Sequence, residues 1–134
     1  MVVFDTYAWI EYFIGSEKGQ RVREFLIKED GKTPSIVLAE IARKYLREGF
    51  EKGEIRKRLE FIAARTEIIN IDVRISMKAA ELYLRLLDHA KKGGLRTPSL
   101  ADALIYAMAL LSGERLLTGD KLFKGLTKVE YIGD

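Results

Sequence analysis

Apolar residues recur along this chain in two rhythms: short β-branched or aromatic runs, and longer stretches with a helical period. Val2-Val3-Phe4 predicts a first strand that stops at Asp5-Thr6, residue types that favour a helix start. Tyr7 to Ile14 then reads as a helix that is apolar on nearly every side, with only Glu11 charged. Such a helix requires either deep burial or a covering partner. Glu17 to Glu29 sets Val22, Phe25 and Leu26 on one stripe with charges elsewhere, the pattern of a half-exposed helix. Asp30-Gly31 is a turn signal. Thr33-Pro34-Ser35 introduces a long helix, with Ser35 as its N-cap and Glu40 one turn in.

Further along, Glu54 to Arg65 predicts an amphipathic helix through Ile55, Leu59 and Ile62, and Glu67 to Ile71 a strand. Ala79, Leu82, Tyr83, Leu86, Leu87 and Ala90 follow the i, i+3, i+4 rule until Gly93-Gly94 breaks the helix. Thr97-Pro98-Ser99 opens another helix from Leu100 to about Ser112, bounded by Gly113. Arg115 to Thr118 and Lys128 to Ile132 are the last strands, separated by a loop or short helix around Leu122 and Phe123. Helices crossing between short apolar strands predict an α/β domain, with a central, mainly parallel sheet of about four or five short strands flanked by helices. All 134 residues are expected to form one domain.

Composition narrows the chemistry. There is no cysteine, which excludes disulfides, thiolate nucleophiles and cysteine-zinc sites. The lone His89 cannot supply the paired imidazoles of a metal-free ribonuclease mechanism, so carboxylates and hydroxyls must carry any reaction. No stretch approaches about 18 uninterrupted apolar residues, and the chain opens directly on an apolar strand, so a cytoplasmic protein without a membrane segment is expected. A net charge of +3 permits a polyanionic partner without establishing one. The basic residues Arg43, Lys44 and Arg47, then Lys52, Arg56, Lys57 and Arg58, then Lys91, Lys92 and Arg96, fit either a phosphate-tracking surface or a solvated helix face.

Four carboxylates, Asp5, Glu40, Asp102 and Asp120, fall where predicted elements begin or end. Ligands of parallel sheets sit beyond the carboxyl ends of the strands, where Asp5 and Asp120 are predicted to lie. Taken singly, each has a structural explanation. Asp5 caps a helix, Asp102 completes a Ser99-x-x-Asp102 capping-box pattern, Glu40 lies four residues before Lys44, and Asp120 follows Gly119 in a turn. Taken together, they would repel by roughly 4 kcal/mol per pair about 4 Å apart, so they need protons or cations. Magnesium or manganese is the natural counter-charge.

The segments Val2-Val3-Phe4-Asp5-Thr6, Ser35-Ile36-Val37-Leu38-Ala39-Glu40-Ile41, Ser99-Leu100-Ala101-Asp102-Ala103-Leu104-Ile105 and Leu117-Thr118-Gly119-Asp120-Lys121-Leu122-Phe123 occur in an order and spacing that resembles the PIN-domain nucleases. Within that family the resemblance is strongest to the VapC toxins of toxin–antitoxin systems, and it covers essentially the whole chain. It implies a PIN-like three-layer fold and an acidic pocket of Asp5, Glu40, Asp102 and Asp120 that holds Mg2+ or Mn2+. Thr6 and Thr118 would be supporting hydroxyls. It further implies an endoribonuclease that hydrolyses RNA and leaves a 5′-phosphate and a 3′-hydroxyl, with a VapB-type antitoxin and a homodimeric state. Some relatives carry a further acid just after the last Asp, where this chain has Lys121 and Leu122, so a second metal lacks that support. The alternative expectation is a non-catalytic PIN-like module that binds RNA or protein. A phospho-acceptor chemistry on Asp5 is disfavoured because position 7 is Tyr, leaving no Asp-x-Asp.

Overall fold

Val2, Val3 and Phe4 form β1 (Val2–Phe4), and all three are wholly excluded from solvent, a burial that demands cover on both faces of the strand. The computed structural model, which describes residues 1–134, meets that demand by placing β1 in the middle of a five-stranded sheet. The chain steps outward on one side through β2 (Gly31–Pro34) and β3 (Glu67–Ile69). It then returns to the other side of β1 as β4 (Arg115–Thr118) and β5 (Val129–Tyr131). Every neighbouring pair is parallel, with Phe4 opposite Leu117 between β1 and β4. Strand order therefore reverses between β1 and β4, the switch point where open parallel sheets leave a crevice.

Paired helices fill the crossovers: α1 (Thr6–Ile14) and α2 (Glu17–Lys28), α3 (Ser35–Arg47) and α4 (Lys52–Arg65), α5 (Val73–Gly93) and α6 (Leu100–Ser112). A single 3-10 turn, Lys121–Phe123, separates β4 from β5. The α/β class, the parallel sheet and the flanking helices are as the sequence predicts. None of the helices is long and apolar enough to cross a membrane.

The sequence pattern predicts no strand at β2, since Gly31 and Pro34 read as punctuation. Packing overrides that preference. A Cβ on Gly31 would lie 2.2 Å from the Phe4 ring, so only glycine lets β2 sit beside β1. Pro34 is the last strand residue, at φ −59 and ψ 134, where its fixed φ fits extended backbone. Ser35 is consequently the first helical residue of α3 rather than its cap, and Pro34 supplies no side-chain cap bond. Strand β3 also ends two residues early, at Ile69.

Cover for the apolar α1 comes mainly from within the chain. Trp9 is fully buried, with its ring centroid 5.2 Å from Phe4, 5.5 Å from Tyr12, 5.9 Å from Phe13 and 6.3 Å from Phe61 of α4. Its indole N–H donates to Thr33 Oγ1 at 3.1 Å, and the Thr33 and Thr66 hydroxyls lie 2.7 Å apart, so this buried polar chain is satisfied. Of α1, Ile14 remains largely exposed. Arg58 does not join a phosphate-tracking face. Its guanidinium lies 5.2, 4.9 and 4.9 Å from the ring centroids of Phe13, Tyr45 and Phe50, a cation–π arrangement that closes the gap between α3 and α4.

The α1–α2 crossing depends on Gly19, where a Cβ would lie 2.0 Å from the Glu11 carbonyl oxygen. Gly19→Ala is therefore expected to destabilise by about 2 kcal/mol or more, because backbone must move. Gly53→Ala, in open space within α4, should stabilise by about 0.5 kcal/mol. Urea unfolding of both variants checks the contrast.

Candidate active site

Asp5 follows β1 directly and caps α1, accepting the Ala8 N–H at 2.8 Å while only 4% exposed. Burial pushes its carboxyl up to about 7. The Thr118 hydroxyl and the Ala8 N–H counter that rise, and the neighbouring charges of Asp120 and Glu40 add to it.

Glu40 reaches this edge from α3. The Thr6 hydroxyl donates to Glu40 Oε1 at 2.6 Å and ties the start of α1 to α3. The simple i, i+4 explanation for Glu40 does not hold, since Lys44 pairs with Glu48 at 3.3 Å.

Asp102 sits in the first turn of α6, in a complete capping box. Its Oδ2 accepts the Ser99 N–H at 2.7 Å and the Ser99 hydroxyl at 3.0 Å, while Ser99 Oγ accepts the Asp102 N–H at 3.3 Å. Arg96 adds a two-pronged grip, Nη1 to Oδ2 and Nη2 to Oδ1, both at 2.9 Å. Burial acts to raise this carboxyl, but the Arg96 and Ser99 bonds hold it below the usual carboxylate range.

Asp120 lies just past β4. Its N–H donates to the fully buried Thr118 Oγ1 at 3.0 Å, its Oδ1 accepts the Leu122 N–H at 3.0 Å, and its Oδ2 accepts Arg96 Nη2 at 2.6 Å. Gly119 lets the Tyr7 ring lie on the chain here, since a Cβ would fall 2.1 Å from that ring.

All four acids thus reach the carboxyl edge of β1 and β4, but their side chains do not all face one point. No group of three acids is arranged to hold an ion, because Asp102 and Asp120 face Arg96 instead. In chemistry the set fits a hard cation, since every donor is a carboxylate oxygen. Arg96 is the site residue that sequence reasoning assigned to a basic run. Its bridge between two acids follows from the fold, and the nearest clue was its place between the Gly93-Gly94 break and the Ser99 cap. Clefts flank the acids on both sides. One of about 310 Å³ is lined by Ile36, Glu40, Arg43 and Ser99, and another of about 430 Å³ by Tyr7, Arg96, Asp120 and Lys121.

The PIN domain profile matches residues 2–129, a span that contains all five strands in whole or part and all four acids. This chain belongs to the PIN-domain family. Among similar PIN proteins, Ribonuclease VapC11 of Mycobacterium tuberculosis is 28% identical over 134 residues, covering 98% of this chain and 96% of that protein. The VapC ribonuclease Mb1587 of Mycobacterium bovis matches to the same extent. A toxin–antitoxin complex from Klebsiella pneumoniae superposes with a TM-score of 0.76 at 23% identity, covering 100% of this chain and 99% of its counterpart. VapC20 of Mycobacterium tuberculosis, described as a Sarcin-Ricin loop cleaving toxin, superposes at 0.71 with 17% identity, covering 97% and 98%. These likenesses to solved structures establish the PIN fold.

The raised Asp5 gives this PIN domain a pH signature. The folded state keeps a proton on Asp5 up to about pH 7, whereas the unfolded chain releases it near 3.8, so the contribution of this group to stability falls as pH rises between those values. In chelator, Asp5→Asn should be more stable than wild type by about 4 kcal/mol at pH 8. That advantage should shrink steadily toward pH 5. Urea unfolding across the range measures it.

Proposed function

We propose that this PIN domain is a metal-dependent endoribonuclease that hydrolyses RNA phosphodiester bonds and acts as the toxin of a toxin–antitoxin pair. The observation that carries the reading is the gathering of Asp5, Glu40, Asp102 and Asp120 at the switch-point edge, flanked by the cations of Arg43 and Lys121. The VapC relatives, named as ribonucleases and similar over nearly their whole length, support the choice of RNA.

Asp5, Glu40, Asp102 and Asp120 would hold Mg2+ or Mn2+, which supplies Lewis acidity and a lowered water pKa when bound. Thr6 fixes the Glu40 carboxylate through its 2.6 Å bond, so that oxygen is oriented before any ligand arrives. Thr118 lies beside Asp5 and accepts the Asp120 N–H, linking the two acids across the switch point. Asp5 must release its proton to act as a ligand, and that release is favoured above about pH 7. Arg43 and Lys121 stand on either side of the acids, where phosphates of an RNA strand can meet them. By the family resemblance, the products carry a 5′-phosphate and a 3′-hydroxyl.

A VapB-type antitoxin belongs to the same reading. A groove of about 440 Å³ lined by Leu46, Ile55 and Leu59 between α3 and α4 supports a protein partner. A second copy is supported by Val73, Met77 and Leu84, which leave an apolar stripe exposed along α5. Sedimentation of the purified chain as a monomer would remove that second copy.

Asp102→Asn and Asp120→Asn should each lower cleavage of a mixed RNA pool by on the order of 10²-fold or more while leaving the thermal melt cooperative, and chelator should do the same to wild type. Full activity in both folded variants ends the site assignment. A wild-type protein that cuts nothing with any divalent ion favours the non-catalytic RNA- or protein-binding module.

A further inference from the structure

Arg96 Nη2 stands between two acids, 2.9 Å from Asp102 Oδ1 and 2.6 Å from Asp120 Oδ2. The other oxygens of these carboxylates are already engaged. Asp102 Oδ2 accepts the Ser99 N–H and hydroxyl as well as Arg96 Nη1, and Asp120 Oδ1 accepts the Leu122 N–H. Only Asp102 Oδ1 and Asp120 Oδ2 lack a bond from the neighbouring backbone or cap, and those are the two that Nη2 holds. Asp102 and Asp120 would therefore offer a divalent ion the oxygens that this guanidinium nitrogen now occupies.

We propose that Arg96 is a built-in counter-ion of the acidic pocket, holding Asp102 and Asp120 in the metal-free protein and competing with a divalent ion for their free oxygens. The proposal rests on the reading of this pocket as a divalent site. Three features make the competition workable. The Arg96 side chain is 46% exposed, so its head regains water on leaving. It stands on residues 95–99, a segment without helix or strand that follows Gly94 in the left-handed conformation, and its other hydrogen bond is a 3.4 Å one to the Thr97 carbonyl. Asp5 and Glu40 receive no bond from Arg96, so both stay available to a cation. Arg96 is therefore a positioning residue. It sets the divalent concentration at which the pocket loads and keeps the acids from driving the edge apart before that. A purely structural Arg96, pinning the start of α6, would influence folding alone.

The test measures binding rather than turnover. Mn2+ is titrated into the purified full chain by calorimetry, with melting temperature recorded in chelator, for wild type, Arg96→Gln, Arg96→Lys and Asp5→Asn. Arg96→Gln should melt lower in chelator yet bind Mn2+ on the order of tenfold more tightly, the size of one charge-assisted contact. Arg96→Lys, a point charge without the planar fork, should fall between the two and serves if the glutamine variant fails to fold. An Arg96→Gln affinity equal to or weaker than wild type overturns the proposal. If wild type binds Mn2+ and Asp5→Asn weakens it in that case, the divalent site itself survives and only the competition is lost. Absence of Mn2+ binding by wild type at millimolar ion overturns both.

Discussion

Four like charges gathered at one strand edge repel each other, and the surrounding structure is organised to contain that repulsion. Each acid has its own means of containment. Asp5 accepts a helix N-terminal N–H and holds a proton to near neutrality, and Glu40 is tied down by the Thr6 hydroxyl. Asp102 is locked in a capping box, Asp120 caps a 3-10 turn, and Arg96 neutralises both. The same bonds that make the acids tolerable also fix their directions. Because the acids are held by their own caps, Arg96 is the group that has to move when a cation arrives.

The sheet makes this gathering possible. An apolar β1 needs neighbours on both edges and cover on both faces, and the chain supplies them by turning outward through β2 and β3 before returning through β4 and β5. That reversal opens the crevice between β1 and β4, so the residues following these two strands, Asp5 and Asp120, meet there. Helix α6 brings Asp102 in its opening turn, and α3 brings Glu40 one turn further in. Membership of the PIN-domain family describes this arrangement, and the VapC relatives extend it to an activity.

Much of the fold was legible because local signals and packing agreed. Helix α6 begins and ends where Ser99 and Gly113 predict, β4 spans its predicted residues, and the Ser99–Asp102 capping box is present in full. The misreadings fall where tertiary contacts outweigh local preference. Strand β2 was hidden by Gly31 and Pro34, and only the Phe4 ring above Gly31 explains why that glycine belongs in a sheet. The apolar helix α1 left open whether a partner covers it, and Trp9, Tyr12, Phe13 and Phe61 answer mainly from within. Sequence placed each candidate acid at an element end. It did not reveal that Arg96 joins two of them, nor that Arg58 stacks among aromatic rings, because a cation in a basic run carries no local mark of its partner.

Anomalous diffraction from a crystal grown with Mn2+ shows whether this acidic edge is a divalent-ion site. A divalent-ion site gives a peak among Asp5, Glu40, Asp102 and Asp120, with Asp102 Oδ1 and Asp120 Oδ2 turned toward the ion. No peak at ordered carboxylates, or Mn2+ bound only elsewhere on the surface, would contradict it.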